Sequence, residues 1–248
     1  MKRILMLLAI ISLVQIGSFG QKKYEMVIEK TDGTETVINV EDIVRTYFRE
    51  KDGGYTTCPD GNHPHMIDLG LPSGTLWACC NVGASAPEEY GNYYAWGETS
   101  PKSVYNWDTY QYGYYGYNED YSHLVNIGSD IAGTQYDAAT ANWGAPWRMP
   151  SLTQIQELLN NCTSTWTTQN GVNGRKFTGP NGGTIFLPAA GYRWDSDLNN
   201  AGSHGYYWSS ALYESRPSHA FSLYFYSDHA SWSSYRFRSR GLSVRPAR

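Results

Sequence analysis

Charge is scarce in this chain. Asp, Glu, Lys and Arg supply 17% of the 248 residues and apolar side chains 41%, which fits neither a disordered polyelectrolyte nor a helical bundle rich in Glu, Lys and Leu. Cysteine is also sparse. The four present, Cys58, Cys79, Cys80 and Cys162, form no C-x-x-C pair, and no His cluster lies at a regular offset from them, so they are weak metal ligands. The net charge of −4 becomes −6 without Lys2 and Arg3, which excludes a generic nucleic-acid binder. Beyond the first twenty residues no run is long and apolar enough to span a bilayer.

Aromatic side chains and turn residues are abundant instead. Twenty-one Tyr, nine Trp and seven Phe make up 15% of the chain, beside 25 Gly and 11 Pro, a composition that suits a folded, loop-rich β protein. Tyr and Trp present a flat apolar face and a polar edge, so their excess fits a wet sheet surface or a recognition surface. Positive charge collects late in the chain. Residues 201–248 carry six arginines against Glu214 and Asp228, whereas residues 21–200 carry 21 acidic and 11 basic side chains.

Lys2 and Arg3 precede an apolar run from Ile4 to Ile16, followed by Ser18 and Gly20. That order predicts a cleaved secretory signal over residues 1–20, with Gln21 the first mature residue. The run is too short for a membrane anchor, and no Cys follows it to take a lipid. The expected location is therefore secreted, periplasmic or cell-surface associated. Such compartments permit disulfides, and either a bond from Cys79 or Cys80 to Cys162 or buried free thiols are open readings.

Four regions are expected: the signal at 1–20, an N-terminal β-hairpin segment at 21–49, a polar Gly-rich linker at 50–64, and a main domain at 65–248. The hairpin reading rests on alternation from Tyr24 to Val40 around Thr31-Asp32-Gly33-Thr34. In the main domain, short strands are predicted at Met66–Leu69, Thr75–Val82, Tyr93–Trp96, Thr184–Leu187, Tyr206–Ser209, His219–Tyr226 and Ser231–Arg238. A helix is predicted after Pro150, where Ser151 and Gln154 have capping-box spacing and Leu152, Ile155, Leu158 and Leu159 form one stripe. A shorter helix is predicted over Asp137–Asn142. Between Tyr105 and Tyr121 eight of seventeen residues are aromatic, with Gly113 and Gly116 among them, which reads as an aromatic surface loop or as rings covering the core. Strict alternation places Phe221, Leu223 and Phe225 toward a core and Ser222, Tyr224 and Tyr226 toward water. It also puts Arg236, Arg238 and Arg240 on one face, beyond a Ser227-Asp228-His229 turn.

Seven segments then occur in a familiar order: Asp68-Leu-Gly-Leu-Pro-Ser-Gly-Thr-Leu-Trp77, Cys80-Asn-Val-Gly-Ala84, Tyr94-Ala-Trp-Gly-Glu-Thr99, Trp147-Arg-Met-Pro150, Leu187-Pro-Ala-Ala-Gly-Tyr-Arg193, Tyr207-Trp-Ser-Ser210 and Ser243-Val-Arg-Pro246. From His65 to Arg248 the chain resembles the Fibrobacter succinogenes major paralogous domain, a family of exported proteins in Bacteroides and relatives. That family is similar to the formylglycine-generating-enzyme branch of the C-type lectin fold. The resemblance implies an α+β, C-type-lectin-like domain with antiparallel sheets, two helices and long loops. Within it, Trp77, Trp96, Trp147 and Trp208 read as core pillars.

The segment from Trp194 to Arg240 resembles the variable segment of C-type-lectin-fold proteins diversified by retroelements. Carried over by position, its display set is Trp194, Asp195, Tyr213, Glu214, Tyr224, Tyr226, Asp228, His229, Trp232, Tyr235 and Arg236, and Arg238 joins Arg236 as a candidate holder of a carboxylate or sulfate. The expected function is non-catalytic binding of an unknown protein or glycan, with no nucleic acid as partner. A fixed surface-structural or adhesion component is the alternative. Catalysis of the formylglycine type needs a late cysteine pair, and the iron-dependent type a His-x3-His-x-Glu cluster; the chain has neither. Calcium-dependent sugar binding needs a Glu-Pro-Asn or Gln-Pro-Asp triplet, also lacking, and Asp195-x-Asp197-x-Asn199 imitates only the start of a calcium loop. No metal, cofactor or catalytic residue is therefore expected.

Overall fold

The computed structural model describes residues 25–29, 34–39, 65–115 and 120–248. The signal at 1–20, the linker at 50–64, Cys58, the Asp32-Gly33 turn and the 116–119 part of the aromatic loop lie outside the described residues. Two compact units divide between Lys51 and Asp52, and each is described by itself.

The first unit contains the expected N-terminal hairpin. Strands β1 (Glu25–Glu29) and β2 (Glu35–Asn39) pair antiparallel, with Val27 opposite Val37.

The second unit is an α+β fold in which all the strand pairs are antiparallel. Its elements are β3 (Met66–Asp68), β4 (Leu76–Ala78), α1 (Ala138–Trp143), α2 (Leu152–Asn161), β5 (Thr163–Gln169), β6 (Val172–Thr178), β7 (Thr184–Pro188), β8 (Tyr192–Trp194), β9 (Asp197–Asn199), β10 (Gly205–Leu212), β11 (His219–Tyr226) and β12 (His229–Phe237). They form the sheets β3-β4, β5-β6-β7, β8-β9 and β10-β11-β12. The segment expected as a strand at Tyr93–Trp96 contributes one bridge, Tyr94 to Leu242.

Both helices start where side chains satisfy the orphan N–H groups of the first turn. Ser151 and Gln154 form the full capping box of α2, and Ile155 and Leu158 are buried beneath it. Buried Asp137 accepts from the backbone N–H groups of Ala139 and Thr140 to cap α1, and from Met149 to hold the following loop.

The β10-β11-β12 sheet lies between two cores. Tyr207, Leu223 and Phe225 join α2 and the β3 to β7 strands in one apolar cluster. On the other side Tyr206, Trp208 and Ala220 pack with Tyr94, Trp96, α1, Leu242 and Val244. Trp77, Trp96, Trp147 and Trp208 are all buried. The C-terminal segment is held by Arg245, which is fully buried and donates to Asn81 Oδ1 and to the carbonyls of Ala78, Cys79 and Phe186. Cys79 and Cys80 are buried in the first core, whereas Cys162 is a half-buried free thiol, so neither is bridged to it.

Candidate functional site

Antiparallel register builds the site. Tyr206 of β10 stands opposite Tyr224 of β11, which stands opposite Ser231 of β12, and Tyr226 faces His229 across the turn. Residues opposite one another share a face, so these side chains form a row. The Tyr206 and Tyr224 rings stack at 5.0 Å, Tyr224 and Tyr226 are 5.7 Å apart, and His229 lies 5.5 Å from Tyr226. His204 stacks near-parallel to both Tyr206 and Tyr224. Tyr192 meets Tyr206 edge to face at 5.1 Å.

A β-bulge then aims the cation. Ser222 pairs with Ser233 but Ala220 pairs with Arg236, so Ser234 and Tyr235 together oppose Phe221. The extra residue reverses the alternation and brings Arg236 onto the tyrosine face. Its guanidinium sits over Tyr206 at 4.4 Å and Tyr224 at 5.4 Å. Its Nε is buried without a hydrogen-bond partner among the described residues. Arg240 stands beside it, over Tyr192 at 5.2 Å, Trp194 at 4.9 Å and Phe237 at 5.5 Å. Paired backbone hydrogen bonds between Arg193 and Gly241 fix this position. The ion pairs recorded among the described residues, Lys102–Glu98 and His123–Asp120, involve neither arginine.

The electrostatics follow from crowding. Burial, then the Arg236 charge, pushes the His204 pKa down and keeps its imidazole neutral at neutral pH. Burial raises Tyr224, which stays a phenol and a donor. Burial is also the main cause that lowers Arg240, and the like charge of Arg236 adds to it.

The aromatic loop meets Phe237, which pairs with His219 on the Trp232 side of the sheet and whose ring lies 5.8 Å from Trp107 and 5.7 Å from Tyr115. Both readings of the loop hold, for different residues. Tyr105 and Tyr110 are buried in a third core cluster, whereas Tyr114 is exposed and Trp107, Tyr115 and Tyr121 are half-exposed.

The expected display residues divide. Tyr224, Tyr226, His229 and Arg236 share the tyrosine face, and Trp194 joins them through Arg240. Asp195 is exposed and accepts a hydrogen bond from the Asn106 amide. Glu214 and Asp228 are exposed at turns, and Tyr235 is 66% exposed on the bulge. Trp232 pairs with Leu223, so it lies on the opposite face, where it and Tyr213 pack against Phe221.

Arg238 does not belong to the exposed set. It follows Arg236 on the same side, but there the face runs under the Trp96 and Tyr110 rings, leaving Arg238 1% exposed. Its guanidinium donates to Tyr110 Oη and to the carbonyls of Pro217 and Val125. These bonds make it a structural group and not a ligand contact. Tyr192, His204 and Tyr206 join the face without having been expected there, and Arg240, expected on one face with Arg236, lies beside it over Tyr192 and Trp194. The Tyr206 to Tyr224 register needs the strand pairing to be seen.

No group of three or more His, Cys, Asp or Glu could hold a metal among the described residues. Among them no helix is long and apolar enough to cross a membrane. A cavity of about 490 Å³ lies away from the band, lined by Thr75, Asp130, Arg148, Ser151, Gln154 and Glu157 among others. The aromatic band thus sets ring faces beside phenol, imidazole and guanidinium groups.

A protein family described as a domain of unknown function (DUF8237) matches residues 153–247, from α2 through the sheet that carries the band. The chain is similar to that family over this part. No curated protein and no solved structure matches it.

Proposed function

We propose that the protein is an exported, non-catalytic binding module of C-type-lectin-like design, which docks a protein or glycan on the face formed by Tyr206, Tyr224, Tyr226, His229, Arg236 and Arg240. The observation that carries this reading is Arg236, a half-buried cation laid over two tyrosine rings with no ion-pair partner among the described residues. Its guanidinium fork matches a carboxylate or sulfate. The α+β architecture with antiparallel sheets and two helices supports the lectin-like assignment. The N-terminal apolar run supports export. The test is a protein and glycan array probed with the wild-type chain and with Tyr224→Ala/Arg236→Gln. Loss of the wild-type signals in the double variant supports the assignment, and an unchanged array refutes it. Turnover of a sulfatase peptide to formylglycine would refute the non-catalytic part.

A further inference from the structure

We infer that the ligand is an acidic carbohydrate, whose carboxylate or sulfate is held by Arg236 and Arg240 while its sugar rings lie on the tyrosine and tryptophan surface between them. This rests on the binding-module reading and names the ligand class. Two guanidinium groups stand on one patch without a carboxylate partner among the described residues. Each is a planar fork of donors whose shape matches a carboxylate or sulfate, and aromatic stacking fixes its orientation. Arg236 and Arg240 repel each other, and a bound anion would relieve that repulsion.

The surrounding groups are polar as well. Tyr206 Oη accepts from the Asn200 amide at 3.3 Å. His204 and His229 are each oriented by a serine, Ser203 and Ser231, at 2.9 Å. Of the six arginines in 201–248, Arg238 and Arg245 are buried, and Arg236 and Arg240 supply the positive charge of the band.

The ring surface of the band favours a sugar over an acidic peptide. Peptide anchors insert apolar side chains into pockets, and the cavity of about 490 Å³ lies elsewhere. What the band offers is ring surface, including Trp194 at 49% exposure, edged by hydroxyl, imidazole and guanidinium groups.

The test is calorimetric titration of the purified chain with polygalacturonate, dextran sulfate, neutral dextran and polyglutamate. Binding to polygalacturonate or dextran sulfate, with none to dextran, supports the inference, and the polymer that binds identifies carboxylate or sulfate. Arg236→Gln and Arg240→Gln should each weaken it about tenfold, and Arg236→Lys should recover only part, because an ammonium has no fork. Trp194→Ala, which changes no charge, should weaken it too. Circular dichroism checks each variant's fold, and the exposed Trp194 variant stands if an arginine variant misfolds. Polyglutamate binding as tight as the glycans, or glycan binding indifferent to both arginines, overturns the inference. If neither acidic polymer binds while array ligands still depend on Tyr224 and Arg236, only the acidic-sugar assignment falls; if that dependence fails too, the binding-module reading falls with it.

Discussion

Arg236 near the end of β12 and Arg238 just past it are two residues apart on one side of the sheet, yet they should behave oppositely when each is changed to glutamine. Arg238 loses three hydrogen bonds, to Tyr110 Oη at 2.8 Å and to the Pro217 and Val125 carbonyls at 3.3 Å, and its position over Trp96 at 5.0 Å. Each unsatisfied acceptor costs about 1–3 kcal/mol, and a desolvated cation–π contact adds about 2 kcal/mol. Glutamine recovers one bond at best, so the loss is about 3 kcal/mol or more, a fall in Tm of about 10 °C for a domain of this size. Arg236→Gln removes a cation–π contact of about 0.5–1 kcal/mol together with an unpartnered buried Nε. The two changes offset, and stability should stay within about 1 kcal/mol. Calorimetric melting of the two variants at neutral pH decides it. Equal shifts, or a larger loss in Arg236→Gln, would refute the division into one structural and one recognition arginine.

Stability should also depend on pH through His219, which burial, with Arg216 and Arg240, holds down at about 4. The unfolded chain binds a proton below its ordinary 6.5 and the folded one does not, so the contribution is full above 6.5 and is lost as pH falls toward 4. That loss is about 3 kcal/mol; urea melts across this range should show a shallower decline for His219→Gln, and parallel curves would sink the assignment. Trp232→Ala should leave binding of any ligand found on the tyrosine face unchanged, because Trp232 lies on the opposite face; loss of titration signal would show the faces to be coupled. Ser151→Ala removes the α2 cap and should lower unfolding free energy by about 1 kcal/mol, read from urea midpoints. Gly205→Ala would drive a methyl into the Phe225 ring and should cost about 1–3 kcal/mol; a neutral result would mean that the ring can move aside.

What could be read from the sequence was local. The α2 start followed from Ser151 and Gln154 because a capping box lies within one turn, and β11 falls on His219–Tyr226 as its alternation indicates. The β5-β6 hairpin was not separately legible, since Thr163–Gln169 is nearly all polar and has no apolar alternation to mark it. The bulge at Phe221 was invisible for a different reason. One added residue in β12 leaves no local mark, yet it moves Arg236 from the Trp232 side of the sheet to the tyrosine side. Arg238 and Arg236 look equivalent along the strand, and only the loop carrying Tyr110, folded across the face, buries one of them.

The same geometry explains how the fold sustains an unpaired cation. Tyr206 is only 4% exposed and is fixed by Tyr192, Asn200 and its strand partners. Beyond it on the same strand, Trp208 is fully buried and donates to the Tyr94 carbonyl. A rigid ring beneath Arg236 keeps the guanidinium in place with no ion-pair partner among the described residues, so under the proposed function little ordering would remain when a ligand arrives. Deep aromatic residues and surface ones are therefore a single layered arrangement, in which the buried Trp positions hold the sheet and the sheet holds the tyrosines. Exchanging the exposed His229 or Tyr235 or the half-buried Tyr226 would leave that support intact. Exchanging Tyr206 would disturb it.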